Sequence, residues 1–222
     1  MAAGAPARQP VIRVSTLLIV DDHAAVRAGL AALLAPEPDL HVVAAAADAE
    51  TALAFAEEHR PDVALIDFHL PGEDGLSLCL RLDSATPRPR RVLYSAFADD
   101  LLAVLALVAG ADALVPKSAD PEQLLDTLLA VAGGQRLATT PSRAALTTVS
   151  AALEPADLPV LGMLVHGTPP GEVADTLTIT PDWLLARRWA ILRRLSPRRT
   201  RRGTLATEAP MLTNHQHRSP SG

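Results

Sequence analysis

The sequence predicts an α/β fold: a doubly wound, five-stranded parallel (βα)5 domain, followed by a small all-α helix-turn-helix domain. Three observations predict it. Short apolar runs alternate five times with amphipathic stretches over about 120 residues, the rhythm of βα repeats. The runs are continuously apolar, as strands buried on both faces should be. After Gly133-Gly134 the alternation stops and only helix-like segments follow.

Residues 1–14 are rich in Ala, Pro and Arg and are expected to be disordered. Strands are expected at 16–21, 40–46, 62–67, 91–95 and 112–116, with helices at 23–35, 48–59, 74–83, 99–109 and 120–132. Asp48 and Asp120 stand where N-caps belong, and Gly110 and Gly133 where C-caps belong. The first domain is therefore placed at 15–134. Residues 135–152 form a Ser/Thr/Ala-rich linker of partly helical character. The second domain, 153–196, reads as helices at 155–165, 171–177 and 181–195. Gly167-Thr168-Pro169-Pro170-Gly171 and Thr178-Ile179-Thr180-Pro181 separate them. Thr180-Pro181 is an N-cap followed by proline at the first helical position. Pro159 falls in the first turn of its helix, where proline is tolerated. Residues 197–222 are expected to be a disordered tail.

Composition narrows the function. The chain has 222 residues, 49% hydrophobic but only 3% aromatic, so its core must be built from Ala, Leu and Val. No apolar run approaches the roughly 18 residues of a membrane span, and the single cysteine, Cys79, excludes an internal disulfide. Both features point to a cytoplasmic protein without membrane contact. The net charge of −5 hides a division: residues 15–136 carry 19 acidic against 8 basic side chains, whereas residues 137–222 carry 6 against 10. The second module is thus a candidate for binding a polyanion.

In parallel sheets, ligands bind beyond the carboxyl ends of the strands. Asp21-Asp22 follows the first expected strand, Asp67 ends the third, Ser95 ends the fourth, and Lys117, the sole lysine, follows the fifth. Three carboxylates brought together repel unless a hard cation joins them. Mg²⁺ suits one or two carboxylates plus a phosphoryl oxygen. Asp67 could then attack an activated phosphoryl group, with Lys117 offsetting charge on its oxygens and the Ser95 hydroxyl bonding one of them. An Asp-Asp pair after a strand is, by itself, more often a helix cap. Four such residues at four strand ends are not explained by capping.

These residues lie in Leu18-Ile-Val-Asp-Asp-His23, Val63-Ala-Leu-Ile-Asp-Phe-His-Leu-Pro-Gly-Glu-Asp-Gly-Leu76, Val92-Leu-Tyr-Ser-Ala96 and Gly110-Ala-Asp-Ala-Leu-Val-Pro-Lys117. Over residues 15–134 the chain resembles the receiver domain of two-component response regulators. The resemblance implies Asp67 as phosphoacceptor, Mg²⁺ on Asp21, Asp22, Asp67 and the backbone carbonyl of His69, and Ser95 and Lys117 as switch residues. It also implies a histidine kinase as phosphoryl donor. The family usually has an aromatic residue three places before the lysine; here Leu114 stands there. A dehalogenase-like phosphatase would need a second Asp two residues after the nucleophile, where this chain has His69, so no enzyme is expected.

Residues 183–202 hold eight arginines and no acidic residue, the composition of a phosphate-binding surface or of a solvated basic face. Leu153–Leu195 resembles the helix-turn-helix output domain of NarL/LuxR-type regulators through Leu153, Pro155, Leu158, Val160-Leu161, Gly167, Glu172-Val173-Ala174, Leu177, Leu184, Ile191-Leu192 and Leu195. That resemblance makes 181–195 the recognition helix and Thr180, Arg187, Arg188, Arg193 and Arg194 the candidate contacts to double-stranded DNA. Arg187 is the candidate to read a guanine edge. Several positions depart from the family: Leu185, Ala186 and Arg187 replace a polar triplet, and Arg188 occupies a normally apolar position. Leu185, Trp189 and Leu192 offer an alternative apolar stripe. The expectation is a phosphorylation-dependent transcription regulator, homodimeric when active. The alternative is a phospho-switched or phosphorylation-independent regulator whose degenerate helix-turn-helix works through protein contacts. Part of the apolar stretch Leu101–Val108 is expected to be buried, either in a dimer through the fourth-helix or fifth-strand face or against the output domain.

Overall fold

The computed structural model describes residues 14–137 and 140–195. The expectations for residues 1–13 and 196–222, including four of the eight arginines, lie outside the described residues. Five parallel strands, β1 (Ser15–Val20), β2 (Leu40–Ala46), β3 (Val63–Asp67), β4 (Arg90–Ser95) and β5 (Ala113–Pro116), form one sheet in the order β2-β1-β3-β4-β5. The helices α1 (Ala24–Leu34), α2 (Ala49–His59), α3 (Gly75–Arg81), α4 (Asp100–Ala109) and α5 (Pro121–Ala132) alternate with them. The doubly wound (βα)5 expectation is therefore met, and no strand limit differs by more than one residue.

Two apolar layers cover the sheet. Leu17, Ile19, Leu65 and Val92 face one layer with Leu30 and Leu34 of α1 and Leu124 and Leu128 of α5. Leu18, Val20, Ile66 and Leu93 face the other with α2, α3 and α4. Chain reversals use the expected chemistry. Asp48, Asp74 and Asp99 each accept a backbone N–H from the first turn of the following helix, and Gly110 closes α4 with φ +76°. Asp120 stands at the N-cap of α5, but its side chain makes no capping bond.

The remaining residues form α6 (Arg143–Ala151), a 3₁₀ turn at Pro155–Asp157, α7 (Leu158–Val165), α8 (Pro170–Leu177) and α9 (Pro181–Leu195). Half of the expected linker is thus a helix, in keeping with its partly helical character, and its Val149 is fully buried. Pro159 lies in the first turn of α7, where its missing N–H has no intrahelical acceptor to lose. Thr180 caps α9 by accepting the backbone N–H of Trp183.

The helical module lies against the first domain, and α4 is where they meet. Every residue of α4 from Leu102 to Ala109 is buried. A helix that is apolar on all sides must be covered on all sides. Here α3 and β5 cover one side, and α6, α7 and α9 cover the other. One hydrophobic cluster runs continuously from Leu18 and Ile66 in the sheet, through Val104 and Val108, to Val160, Val173, Leu184 and Ile191. Of the two covers left open by the sequence, the structure has the helical module of the same chain over Leu102–Val108, while Leu101 stays exposed.

Candidate functional site

Loops at the carboxyl ends of β1, β3, β4 and β5 bring the charged residues together beside the point where strand order reverses, between β1 and β3. Asp21 sits just past β1 and Asp67 is the last residue of β3; both carboxylates are buried. Asp22 and His23 are exposed at the rim. Lys117 reaches across from the end of β5, its Nζ 2.7 Å from Asp21 Oδ2 and 3.1 Å from Asp67 Oδ1. The Lys117 backbone N–H donates to the Ser95 carbonyl at 2.7 Å, which fixes the root of that side chain against β4. Asp21 Oδ1 accepts the His23 backbone N–H at 2.8 Å, and His23 Nδ1 lies 2.6 Å from Asp22 Oδ1.

Glycine chemistry sets the floor of the pocket. The Gly75 N–H donates to the Phe68 carbonyl at 2.8 Å, which draws the start of α3 under the end of β3. A Cβ at Gly75 would lie 2.3 Å from the Asp67 carbonyl oxygen, so only glycine allows this approach.

Burial pushes the Asp67 carboxyl above its usual range, against the hydrogen bond and charge of Lys117, while Asp21 adds to the upward push. Burial alone would lower the Lys117 ammonium, but its bonds to Asp21 and Asp67 outweigh that and hold it above its usual value. One ammonium facing three carboxylates leaves a surplus of two negative charges. At about 4 Å and an effective dielectric of about 20, each unit pair is worth roughly 4 kcal/mol, so the surplus favours a further cation. Oxygens of Asp21, Asp22 and Asp67 and a ring nitrogen of His23 lie within 4.8 Å of one another. Carboxylate oxygens around a double negative surplus fit a hard divalent ion.

The structure thus brings together Asp21, Asp22, Asp67 and Lys117. Ser95 is buried at the same edge, but its Oγ is engaged locally. It donates to the Phe97 carbonyl and accepts the Phe97 N–H, both at 3.1 Å. The His69 backbone N–H bonds the Asp67 carboxylate. Leu114 packs into the layer shared by α4 and the helical module. Sequence reasoning gave no role to Tyr94, whose ring lies beneath the Lys117 ammonium. Its signal was adjacency to Ser95, since Tyr94 pairs with Asp67 in the sheet register.

Of the expected DNA contacts, Arg188 is the one the fold takes off the surface. Arg188 is only 2% exposed and points into the first domain. Its Nε donates to the Val108 carbonyl at 2.7 Å and its Nη1 pairs with Asp83, after α3. Arg91, also 2% exposed, pairs with the same Asp83 and donates to the Cys79 carbonyl. The absent Cβ of Gly110 makes the seat: a methyl group there would lie 2.5 Å from Arg188 Nη2. Arg188, expected as a DNA contact, makes an interdomain bond in this docked arrangement. Arg187, half-buried, and Arg194, exposed, both pair with Asp157 and Glu154 of the helical module itself. Arg193 is exposed. The proposed alternative stripe is partly realised: Leu192 is buried, and Leu185 and Trp189 are half-buried against the same core.

Residues 17–129 match the response regulator receiver domain family. The chain is 32% identical over 177 residues to the nitrate/nitrite response regulator protein NarL of Escherichia coli K12, covering 75% of this chain and 82% of that one. It is 31% identical over 203 residues to the DNA-binding transcriptional activator DevR/DosR of Mycobacterium tuberculosis H37Rv, covering 86% and 94%. Among solved structures, RcsB of Salmonella enterica serovar Typhimurium bound to promoter rprA superposes with a TM-score of 0.51 at 21% identity. That match covers 82% of this chain and 93% of that chain, so the likeness in fold extends over both modules. Among the described residues no helix is long and apolar enough to cross a membrane.

Proposed function

The chain belongs to the response regulator receiver family and is of the NarL/LuxR type, and from that premise we propose that it is a phosphorylation-controlled, DNA-binding transcription regulator. In this reading residues 15–134 are the phosphoacceptor module, 135–152 the connector and 153–196 the output module. The observation that carries it is the single ammonium of Lys117 held between the buried carboxylates of Asp21 and Asp67 at the sheet edge.

Asp67 is the phosphoacceptor. A carboxylate oxygen attacks the phosphorus of a phosphohistidine on the partner kinase, the P–N bond breaks, and the imidazole nitrogen leaves with the electron pair. The product is an acyl phosphate on Asp67. Burial that raises the Asp67 pKa also strips water from the attacking oxygen. Lys117, already beside that oxygen, meets the charge of the incoming phosphoryl group. The Ser95 hydroxyl must leave its turn with Phe97 to bond a phosphoryl oxygen. Mg²⁺ held by Asp21, Asp22, Asp67 and the His69 carbonyl would supply the positive charge that offsets the remaining carboxylates and the phosphoryl oxygens.

Acetyl phosphate with Mg²⁺ is expected to add the mass of one phosphoryl group to the intact protein. Chelation with EDTA is expected to abolish that labelling. Labelling that persists at full rate in EDTA would remove the metal from the account, and no labelling with Mg²⁺ would remove the phosphoacceptor.

The interdomain contact supports a resting form in which α9 is withheld. Undocking would free Arg188, and contact with DNA phosphates would draw Arg187 and Arg194 from Asp157 and Glu154 to join Arg193 and Thr180, in a homodimer. A second reading, regulation through protein contacts, is favoured by one observation. Arg187, Arg188 and Arg194 are each neutralised within the chain, so a helix that never undocks has little basic surface to offer.

A further inference from the structure

We propose that Tyr94 is a positioning residue for the Lys117 ammonium, holding it where a phosphoryl group on Asp67 would arrive; this rests on the phosphoacceptor reading of Asp67. Tyr94 lies in register with Asp67 on β3 and with Val115 on β5, between the phosphoacceptor strand and the strand that carries the lysine. Its carbonyl accepts the Phe68 N–H at 3.1 Å, which ties the backbone following Asp67 to β4. The Lys117 Nζ stands 5.4 Å from the centre of the Tyr94 ring. The ammonium therefore has three neighbours, two carboxylates and one aromatic face.

The geometry gives the ring a task the carboxylates cannot perform. A lysine ammonium rides on a flexible four-carbon stem with many rotamers. When Asp67 carries a phosphoryl group, the carboxylate that now faces Lys117 becomes part of a mixed anhydride and its negative charge moves outward to the phosphoryl oxygens. Lys117 must follow that charge over a short distance without swinging into solvent or wholly to Asp21. An aromatic face attracts a cation without fixing it to one point, so it steadies the ammonium in both positions. The ring is itself braced by the apolar layer of α1 and α5 against which it packs, and its register partner on β5 is Val115.

Tyr94 is also the only tyrosine in the chain, and both tryptophans, Trp183 and Trp189, lie on α9. Its absorption band thus reports on this pocket. The full-length protein, Tyr94→Phe, Tyr94→Leu and Tyr94→Met are compared in two measurements: the rate of acetyl phosphate labelling with Mg²⁺, and the tyrosine difference spectrum on adding beryllofluoride. Tyr94→Phe keeps the face and is expected to label within about twofold of wild type. Tyr94→Leu and Tyr94→Met lose the face and are expected to label about threefold to tenfold more slowly, the scale of a cation–π contact. Two non-aromatic variants of different shape keep the test alive if one fails to fold. Wild type is expected to show a tyrosine difference spectrum that Tyr94→Phe lacks. Leu and Met variants that label at the wild-type rate would overturn the inference, as would a Phe variant as slow as they are. An unlabelled wild type would instead overturn the phosphoacceptor reading on which it rests.

Discussion

Asp67→Asn is expected to lose acetyl phosphate labelling completely while keeping the fold. The amide cannot attack phosphorus to form an acyl phosphate, and the strand, the Gly75 contact and the Lys117–Asp21 bond at 2.7 Å do not depend on the Asp67 charge. Stability is expected to hold or rise. Burial raises the Asp67 pKa above the ordinary carboxylate value, so the ionised form is disfavoured in the folded state. The destabilisation this causes is absent at low pH and grows as pH rises above the unfolded carboxylate pKa. Asparagine removes it at neutral pH. Intact-mass labelling and a denaturant melt at pH 7 check the two halves separately. Continued labelling of the folded variant would place the phosphoacceptor elsewhere.

Asp83→Ala is the largest expected loss of stability away from the pocket. Asp83 receives the guanidinium of Arg91 on one oxygen and that of Arg188 on the other, and both arginines are almost wholly buried. Burial favours the neutral carboxyl, but the two guanidiniums outweigh it and hold the Asp83 pKa below its usual value. Its contribution is therefore full above the ordinary carboxylate range and fades only as pH falls through the lowered value. Truncation strands two buried cations, a change typically costing about 3–5 kcal/mol. Because Arg188 belongs to α9, the loss should appear first as separation of the helical module. It is read by the environment of Trp183 and Trp189 and by exposure of the α4 amides to hydrogen exchange. A double-mutant cycle with Arg188→Met isolates the shared term. A change below about 0.5 kcal/mol, with α4 still protected, would mean that the ion cluster does not hold the domains together.

The receiver-like half was legible because its physics is local and repetitive. A strand buried on both faces must be apolar along its length, so β1 and β3 announce themselves and end at the charged residues they present. Asp21, Asp22, Asp67 and Lys117 could be gathered from that pattern alone. The Ser95 hydroxyl could be placed at the edge, but not its engagement with Phe97, which depends on how one loop turns. The interdomain contact was not legible. Arg188 and Asp83 are 105 residues apart, and an arginine on a helix reads equally as a DNA contact or as a buried partner. The one hint was its place at a position where the family is apolar. Leu101–Val108 signalled a covered helix without saying what covers it, because apolarity specifies burial and not the partner.

Phosphorylation at Asp67 is proposed to control whether α9 is offered to DNA. That control is tested most directly by the affinity of the full-length protein for its own promoter region, measured across a salt series before and after acetyl phosphate treatment. The account predicts weak binding before treatment. After treatment it predicts binding tightened at least tenfold, with a steeper salt dependence as Arg187, Arg188, Arg193 and Arg194 reach phosphates. Equal affinity in both states, or no binding at low salt in either, would contradict it.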